Sequence, residues 1–376
     1  MLNILVLFYS KIYPMRQTTW SHMQCFRRYS GHRCFYLNTA VYKIPRFLRR
    51  IHFDLVIFET TFMCTRWTRS VFTQNAERIS EVADWDAIRV ALPQDEFISS
   101  DLLCNFINQM RIDGVFSVSP PSEWPAIYDG VDRSRVRFQQ VLTGYLDDRT
   151  LDHLRRIAKP DRPRPIDIGY RTAGRPYPSF GRHGCLKQDI AEIFEEKAPA
   201  RGLNVDISTS RKDTLTGDRW FKFLLDCKYT IGVESGTSIH DRDGTLFLRS
   251  TAYTKLHPEA RYAEVEAACF PGIDGKFRLF ALGPRHLEAC ATRTCQVLTE
   301  GEYNGILKPG IHYVELKKDF SNIDPVLDTI ASGNGKKEMV ERAYEEIASS
   351  GRYSYSAFVN HIVTESMSMR GTKTSQ

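Results

Sequence analysis

The chain has 376 residues, 42% hydrophobic and 12% aromatic, which is enough apolar material for two cores and excludes extensive disorder. A formal net charge of +6 suits phosphorylated or anionic partners but is too small to argue for nucleic acid by itself. Nine cysteines show neither a C-x-x-C pair nor zinc spacing, so packed, reduced thiols in a cytoplasmic protein are expected. No stretch approaches the roughly twenty apolar residues of a membrane-spanning helix.

The opening MLNILVLFYS is apolar, short and without a basic leader, and is expected to form a first buried strand, Leu2–Phe8, rather than a signal segment. The loop 10–17 carries Lys11, Tyr13 and Arg16 and no glycine-rich turn. Thr18 or Thr19 then caps a helix bearing Trp20, Met23 and Phe26. Further strands are expected at Cys34–Leu37 and Asp54–Thr60. Between them, Ile44, Phe47, Leu48 and Ile51 recur at helical spacing, with Pro45 in the first turn and Lys43, Arg46, Arg49 and Arg50 around them. This spacing predicts a helix over Lys43–His52. It either covers the sheet with a solvated basic rim or turns an amphipathic face to anionic lipid. Strands at Ile88–Leu92, Gly114–Val118 and Val136–Val141 continue a doubly wound α/β alternation. Asp95 and Glu96 follow the first of these at its carboxyl end, where an active-site acid would be placed, although loop acids are common on surfaces.

The charged, proline-bearing stretch 147–165, with its KPDRPRP run, is the best boundary between domains over 1–160 and 165–350. Strand Ile166–Tyr170 leads into a loop, 171–184, with three glycines and three arginines, a composition that invites phosphate. It lacks G-x-G-x-x-G, so a nicotinamide-binding fingerprint is not supported. The following helix shows Leu186, Ile190, Ile193 and Phe194 on one face. Val205–Ile207 reads as a strand and Trp220, Phe223, Leu224 and Cys227 as a buried helix face. Strand Tyr229–Glu234 ends at Ser235-Gly236-Thr237. HDRDG, 240–244, reads as a turn, and Ala252 at the twelfth loop position excludes an EF-hand. From there to about Arg278 the chain reads as an insertion.

The stretch 284–316 is the densest in polar signals. A short apolar helix (Leu287, Cys290, Ala291) carries Glu288 near its start, preceded by Arg285 and His286. Strand Cys295–Thr299, a loop with Gly301, Tyr303, Asn304 and Gly305, and strand His312–Leu316 follow. A carboxylate such as Glu288 can accept from two ribose hydroxyls, and Arg285 at a helix start is a good seat for diphosphate. The plain alternative is that Glu288 answers the helix dipole. Helices from Pro325 and over Lys336–Ala348 and Arg352–Ile362 complete the chain before a polar tail, 367–376.

Arg-His-x-Glu-Ala-x-Ala-x-x-Thr from Arg285, then Gly-x-Tyr-x-Gly-x-Leu-x-Pro-Gly-x-His-Tyr from Gly301, resembles the donor-binding region of group 1 glycosyltransferases with the GT-B fold. The resemblance is closest to the branch sharing a domain with spore-maturation glycosyltransferases, covers 165 to about 362, and runs more weakly through Asp95, Glu96 and 116–128. It implies two Rossmann-like doubly wound domains facing across a cleft, with a last helix, 352–366, crossing back to the first. It also implies a hexosyltransferase of polysaccharide biosynthesis, moving sugar from a nucleotide diphosphate sugar to a glycan or lipid-linked glycan. No cofactor, metal or nucleic acid is expected. The location would be cytoplasmic, at the inner membrane face if Lys43–His52 meets lipid. Glu288 would accept from the ribose, while Arg171 and Lys187 resemble the basic pair on the diphosphate. Glu234 and Ser235 match the position near the base, where they either contact the donor or close a turn, and Arg285 and the Tyr303, Asn304 and Gly305 loop complete the donor side; Arg285 and His286, with Asp95 and Glu96, are the catalytic candidates. Resemblance to group 1 implies retention of configuration; inversion would need a base, for which Asp95, Glu96 and His22 are the candidates. The family's first acid, eight residues before Glu288, is here Phe280. That departure keeps a non-catalytic nucleotide-sugar-binding protein as one alternative. The other is a GT-A-type enzyme using Asp241-x-Asp243 for metal.

Overall fold

The fold was analysed in a computed structural model, which describes residues 1–13, 15–158, 162–172, 174 and 177–370. Two parallel sheets organise it. The first contains β1 (Asn3–Phe8), β2 (Arg33–Asn38), β3 (Leu55–Phe58), β4 (Ile88–Ala91), β5 (Gly114–Ser117) and β6 (Arg137–Gln140), in the order β2-β1-β3-β4-β5-β6. Ile4 to Leu7 of β1 are fully buried, as expected of a parallel strand covered by helices on both faces. The second contains β7 (Ile166–Arg171), β8 (Val205–Ser208), β9 (Cys227–Gly232), β12 (Cys295–Thr299) and β13 (Tyr313–Leu316), in the order β13-β12-β9-β7-β8. Between β9 and β12 lies an antiparallel ribbon of β10 (Ser235–Thr237) and β11 (Leu279–Ala281), which places Phe280 opposite Gly236. Gly236 has φ +120°, and a Cβ there would lie 1.8 Å from the Leu279 carbonyl oxygen, so the ribbon closes only around glycine.

Each sheet has its own core. One face of the first sheet packs under Phe62, Phe72 and Phe106. Its other face is covered by the helix Gln17–Tyr29 and by the last helix, Tyr355–Ser368, whose Phe358, Val359 and Ile362 meet Ile4, Val6, Ile57 and Val90. The helix over the expected tail therefore runs on through Met367 and Ser368; residues 371–376 lie outside the described residues.

The helix expected over Lys43–His52 is not formed: only a 3-10 turn, Leu48–Arg50, is present. Pro45 in a first turn is compatible with a helix, but the backbone turns extended at Ile51 (φ −97°, ψ 126°) to return to β3, so one turn forms while Ile44 and Leu48 still reach the core. The expected insertion holds the helices Thr245–Leu256 and Tyr262–Cys269. Asp241 starts the first of them, its carboxylate accepting from the N–H groups of Leu246 and Phe247 at 3.1 and 2.8 Å. The same segment fastens the second sheet's half to the first. Ser99 N–H donates to the Asp241 carbonyl at 2.9 Å, Asp241 N–H to the Phe97 carbonyl at 2.7 Å, and Asp101 N–H to the Arg242 carbonyl at 3.1 Å. Trp67 packs beside them against Phe97, Phe180 and Phe247. The proposed boundary 161–165 begins outside the described residues, which resume at Arg162. No helix of the described residues is long and apolar enough to cross a membrane.

Candidate functional site

A cavity of about 470 Å³ opens at the carboxyl ends of β7 and β9. Two helix starts face it: Gly184 and Lys187 from Gly181–Lys197, and Gly283 to His286 from Pro284–Ala291. Arg16, from the loop after β1, reaches in from the first half of the molecule. Arg211, from a polar turn after β8, closes another side. Among the described residues, four cations, Arg16, Lys187, Arg211 and Arg285, line the cavity and no carboxylate does. Lys187 makes no hydrogen bond or ion pair among the described residues. Burial, and then Arg285, push its pKa below the usual lysine value. Only the charge of Asp95 opposes these shifts, and a partly desolvated ammonium so weakly compensated is costly unless a ligand supplies more negative charge.

A second cavity of about 280 Å³ adjoins the first across Trp220 and Arg285. It is lined from the first half by Gln17, Ser21 and Tyr145, and from the second by Thr214, Gly217 and Glu288. The Trp220 indole N–H donates to Glu288 Oε2 at 2.8 Å. The Arg285 guanidinium lies 5.2 Å from the Trp220 ring and donates to the Arg171 carbonyl. Burial raises the Glu288 pKa, opposed by the Trp220 hydrogen bond and by Arg285. Its second oxygen, Oε1, has no hydrogen-bond partner among the described residues.

His286, at the first turn of its helix, pairs Nδ1 with the backbone of Gly283. Burial holds its pKa at about 4, so the ring is neutral at pH 7. His183 is likewise held at about 4 and lies flat on Phe280, ring centroids 3.9 Å apart. Phe280 thus forms an apolar stack where the resemblance expects an acid. Burying a neutral imidazole against a phenyl ring removes the need for that carboxylate in the packing, though not in ligand recognition.

Several candidates sit away from the cavities. Glu96 is fully buried and accepts from Ser117 Oγ and Tyr128 Oη at 2.5 Å each and from Val118 N–H at 3.1 Å, so it is a core acid and no base. His22 is buried against Tyr355 and Phe358, with Nδ1 3.1 Å from Glu59. Asp95, at φ +51°, accepts from the Trp67 indole at 2.9 Å beside the interdomain seam. Arg171 turns back from the cavity to pair with Asp206 at 2.7 Å. Glu234 is buried and accepts from Tyr303 N–H at 2.8 Å, and Asn304 Oδ1 accepts from Leu282 N–H at 2.6 Å. These residues, with Gly305 behind them, brace the loops beneath the cavity and do not line it. Lys187, Ser235, Arg285 and His286 line the larger cavity and Glu288 the smaller. Sequence reasoning missed Arg211, which carries no motif, and the wall formed by Trp220, which reads as one more buried aromatic.

A six-stranded and a five-stranded parallel sheet, with a cavity at the carboxyl ends of the second that Arg16 of the first half also lines, match known structures. An alpha-glucosyltransferase solved with UDP-glucose and DNA containing an abasic site superposes with a TM-score of 0.56 at 11% identity, over 98% of this chain and 99% of that one. The Anabaena protein HepE in complex with UDP-glucose superposes with a TM-score of 0.50 at 13% identity, over 98% and 100%. The chain has the GT-B fold. No family model matches it, and no curated protein matches it by sequence. The GT-B fold leaves no place for the GT-A alternative, and Asp241 and Asp243 instead open the helix Thr245–Leu256, Asp243 accepting from Thr245 N–H at 3.0 Å.

Proposed function

We propose that the chain is a nucleotide-sugar-dependent glycosyltransferase of the group 1 type, acting on a glycan or lipid-linked glycan. The observation that carries this reading is the cavity lined by Arg16, Lys187, Arg211 and Arg285, with no carboxylate among its described lining residues, adjoining Glu288. A diphosphate supplies the missing negative charge, and the free oxygen of Glu288 accepts from ribose hydroxyls in the neighbouring space. In the transfer, the bond from the sugar's anomeric carbon to the diphosphate oxygen breaks and an acceptor hydroxyl oxygen bonds that carbon. In a retaining reaction the acceptor proton passes to the departing diphosphate oxygen, which requires no protein base. Fixed cations and backbone N–H groups stabilise the charge that develops there, so the proposal needs no metal. The complexes of HepE and of the alpha-glucosyltransferase with UDP-glucose support the donor class.

Thermal stabilisation by a panel of nucleoside diphosphate sugars tests the proposal, since a ligand of the native state raises apparent stability. At least one donor should raise the Tm, and Arg285→Ala should weaken nucleoside diphosphates more than nucleosides. No stabilisation by any donor or diphosphate would overturn the reading. Donor binding without release of nucleoside diphosphate, with or without acceptor glycans, would favour the non-catalytic alternative that Phe280 motivates.

A further inference from the structure

Charge is distributed very unevenly along the chain. Residues 1–53 contain nine Lys and Arg and no Asp or Glu, whereas the remaining residues contain 42 against 45. The whole positive excess therefore lies in the first strands and their loops. Apart from Met1, five of the other eight most exposed large apolar side chains among the described residues fall in the same segment: Ile12, Tyr13, Val41, Tyr42 and Phe47, each between 59% and 84% exposed.

The fold gathers these residues. β1 and β2 are parallel neighbours, so the loops after Phe8 and Asn38 leave the same end of the sheet. Asn38 ties the two tips together: its Oδ1 accepts from Ser10 N–H at 3.0 Å and from Ala40 N–H at 3.1 Å, and its Nδ2 donates to the Ser10 carbonyl at 2.8 Å. Ile12 and Tyr13 project from one tip, Val41 and Tyr42 from the other, with Lys11, Lys43 and Arg46 interleaved and Phe47 following. These three cations make no ion pair among the described residues. The face borders the cleft, because Arg16 of the same loop lines both cavities.

We infer that this double loop tip is a docking surface for an anionic lipid bilayer. Free basic side chains alone would suit any polyanion. Aliphatic Ile12 and Val41 and the Phe47 ring offer nothing to a sugar–phosphate backbone, yet they gain by entering the headgroup–acyl boundary, where Tyr13 and Tyr42 also sit well. Cations attracted to anionic headgroups and apolar side chains inserted between them are the two complementary parts of such a contact. The surface differs from the basic helix expected from sequence, since it is built of loop tips rather than a helix face. It stands independently of the proposed transfer reaction.

Flotation of the full chain with phosphatidylcholine vesicles, with and without phosphatidylglycerol, tests the inference. Binding should require phosphatidylglycerol and fall as salt rises. Replacing Lys11, Lys43 and Arg46 together by Ser should weaken binding about a hundredfold, roughly fivefold for each charge removed. Ile12→Ser with Phe47→Ser, at unchanged charge, should also weaken it by at least about tenfold. No binding to anionic vesicles at low salt, or a charge variant that binds like the parent, would overturn the inference. An apolar variant that binds vesicles like the parent, while heparin competes equally for both, would show a general polyanion site and also overturn it. Both sets of substitutions lie on exposed loops, so nucleoside diphosphate affinity should stay at the parent value. That separates a failure here from a failure of the proposed donor site.

Discussion

Glu288 is a single carboxylate with one oxygen held by Trp220 and the other open to the smaller cavity. Glu288→Gln keeps the shape and removes the charge, so donor affinity should fall about ten- to a hundredfold, the effect of losing a charged acceptor worth about 1.5–3 kcal/mol, while the fold survives. Calorimetric titration with nucleoside, nucleoside diphosphate and full donor checks this; a variant that binds all three like the parent would make the residue structural. His183 and His286, both held near 4, make a second prediction at this scale. Unfolded imidazole titrates near 6.5, so the unfolded chain takes up these protons first as pH falls. Each ring's contribution to stability is therefore full above about pH 6.5 and is lost as pH falls toward 4. The loss is about 2 kcal/mol per ring between pH 7 and 5. Buried Glu96, Glu234 and Glu288, raised by desolvation, act in the opposite sense. The His183→Gln variant isolates the ring, and its Tm should drop less than the parent's over that range. The Arg285-to-Tyr313 pattern made Arg285 and Glu288 visible in the sequence. The roles of Arg171 and Glu234 were not visible, because their partners Asp206 and Tyr303 are 35 and 69 residues away.

Among the elements, the strands were legible because parallel strands buried on both faces read as short continuous apolar runs, and β12 falls on the expected residues. The β10–β11 ribbon was not, since three-residue strands pair only through contacts distant in sequence. The Lys43–His52 segment shows the reverse error: helical periodicity was present, but the return path to β3, which extends the backbone at Ile51, decided the conformation. The loop 301–305 is where an element can be tested directly. Tyr303 and Asn304 both have positive φ, and they are held there by Glu234 and by the Leu282 N–H. A Cβ on Gly301 would lie 2.4 Å from Glu234 Oε2. Gly301→Ala should therefore displace that carboxylate and destabilise the protein by about 1–3 kcal/mol. The denaturation midpoint should fall with an unchanged m value.

Across the whole molecule, the two halves are joined at the edge of the cleft by backbone hydrogen bonds between 97–101 and 241–242 and by the Trp67 cluster. Fasteners of this kind oppose wide opening, so the radius of gyration from small-angle scattering should change little when nucleoside diphosphate is added. A large contraction would show that the halves separate in the free protein. The last helix has a consequence of a different kind. Its Phe358, Val359 and Ile362 cover the sheet that contains Ile4 and Val6, so the first half cannot complete its core until those residues have been made. During synthesis the part of that sheet face left by the helix Gln17–Tyr29 must wait uncovered while the whole second half is added, which gives a chaperone time to engage it. A chain truncated before Tyr355 should keep the second sheet but expose the Ile4 and Val6 face, so limited proteolysis should cleave its first half sooner than the parent's.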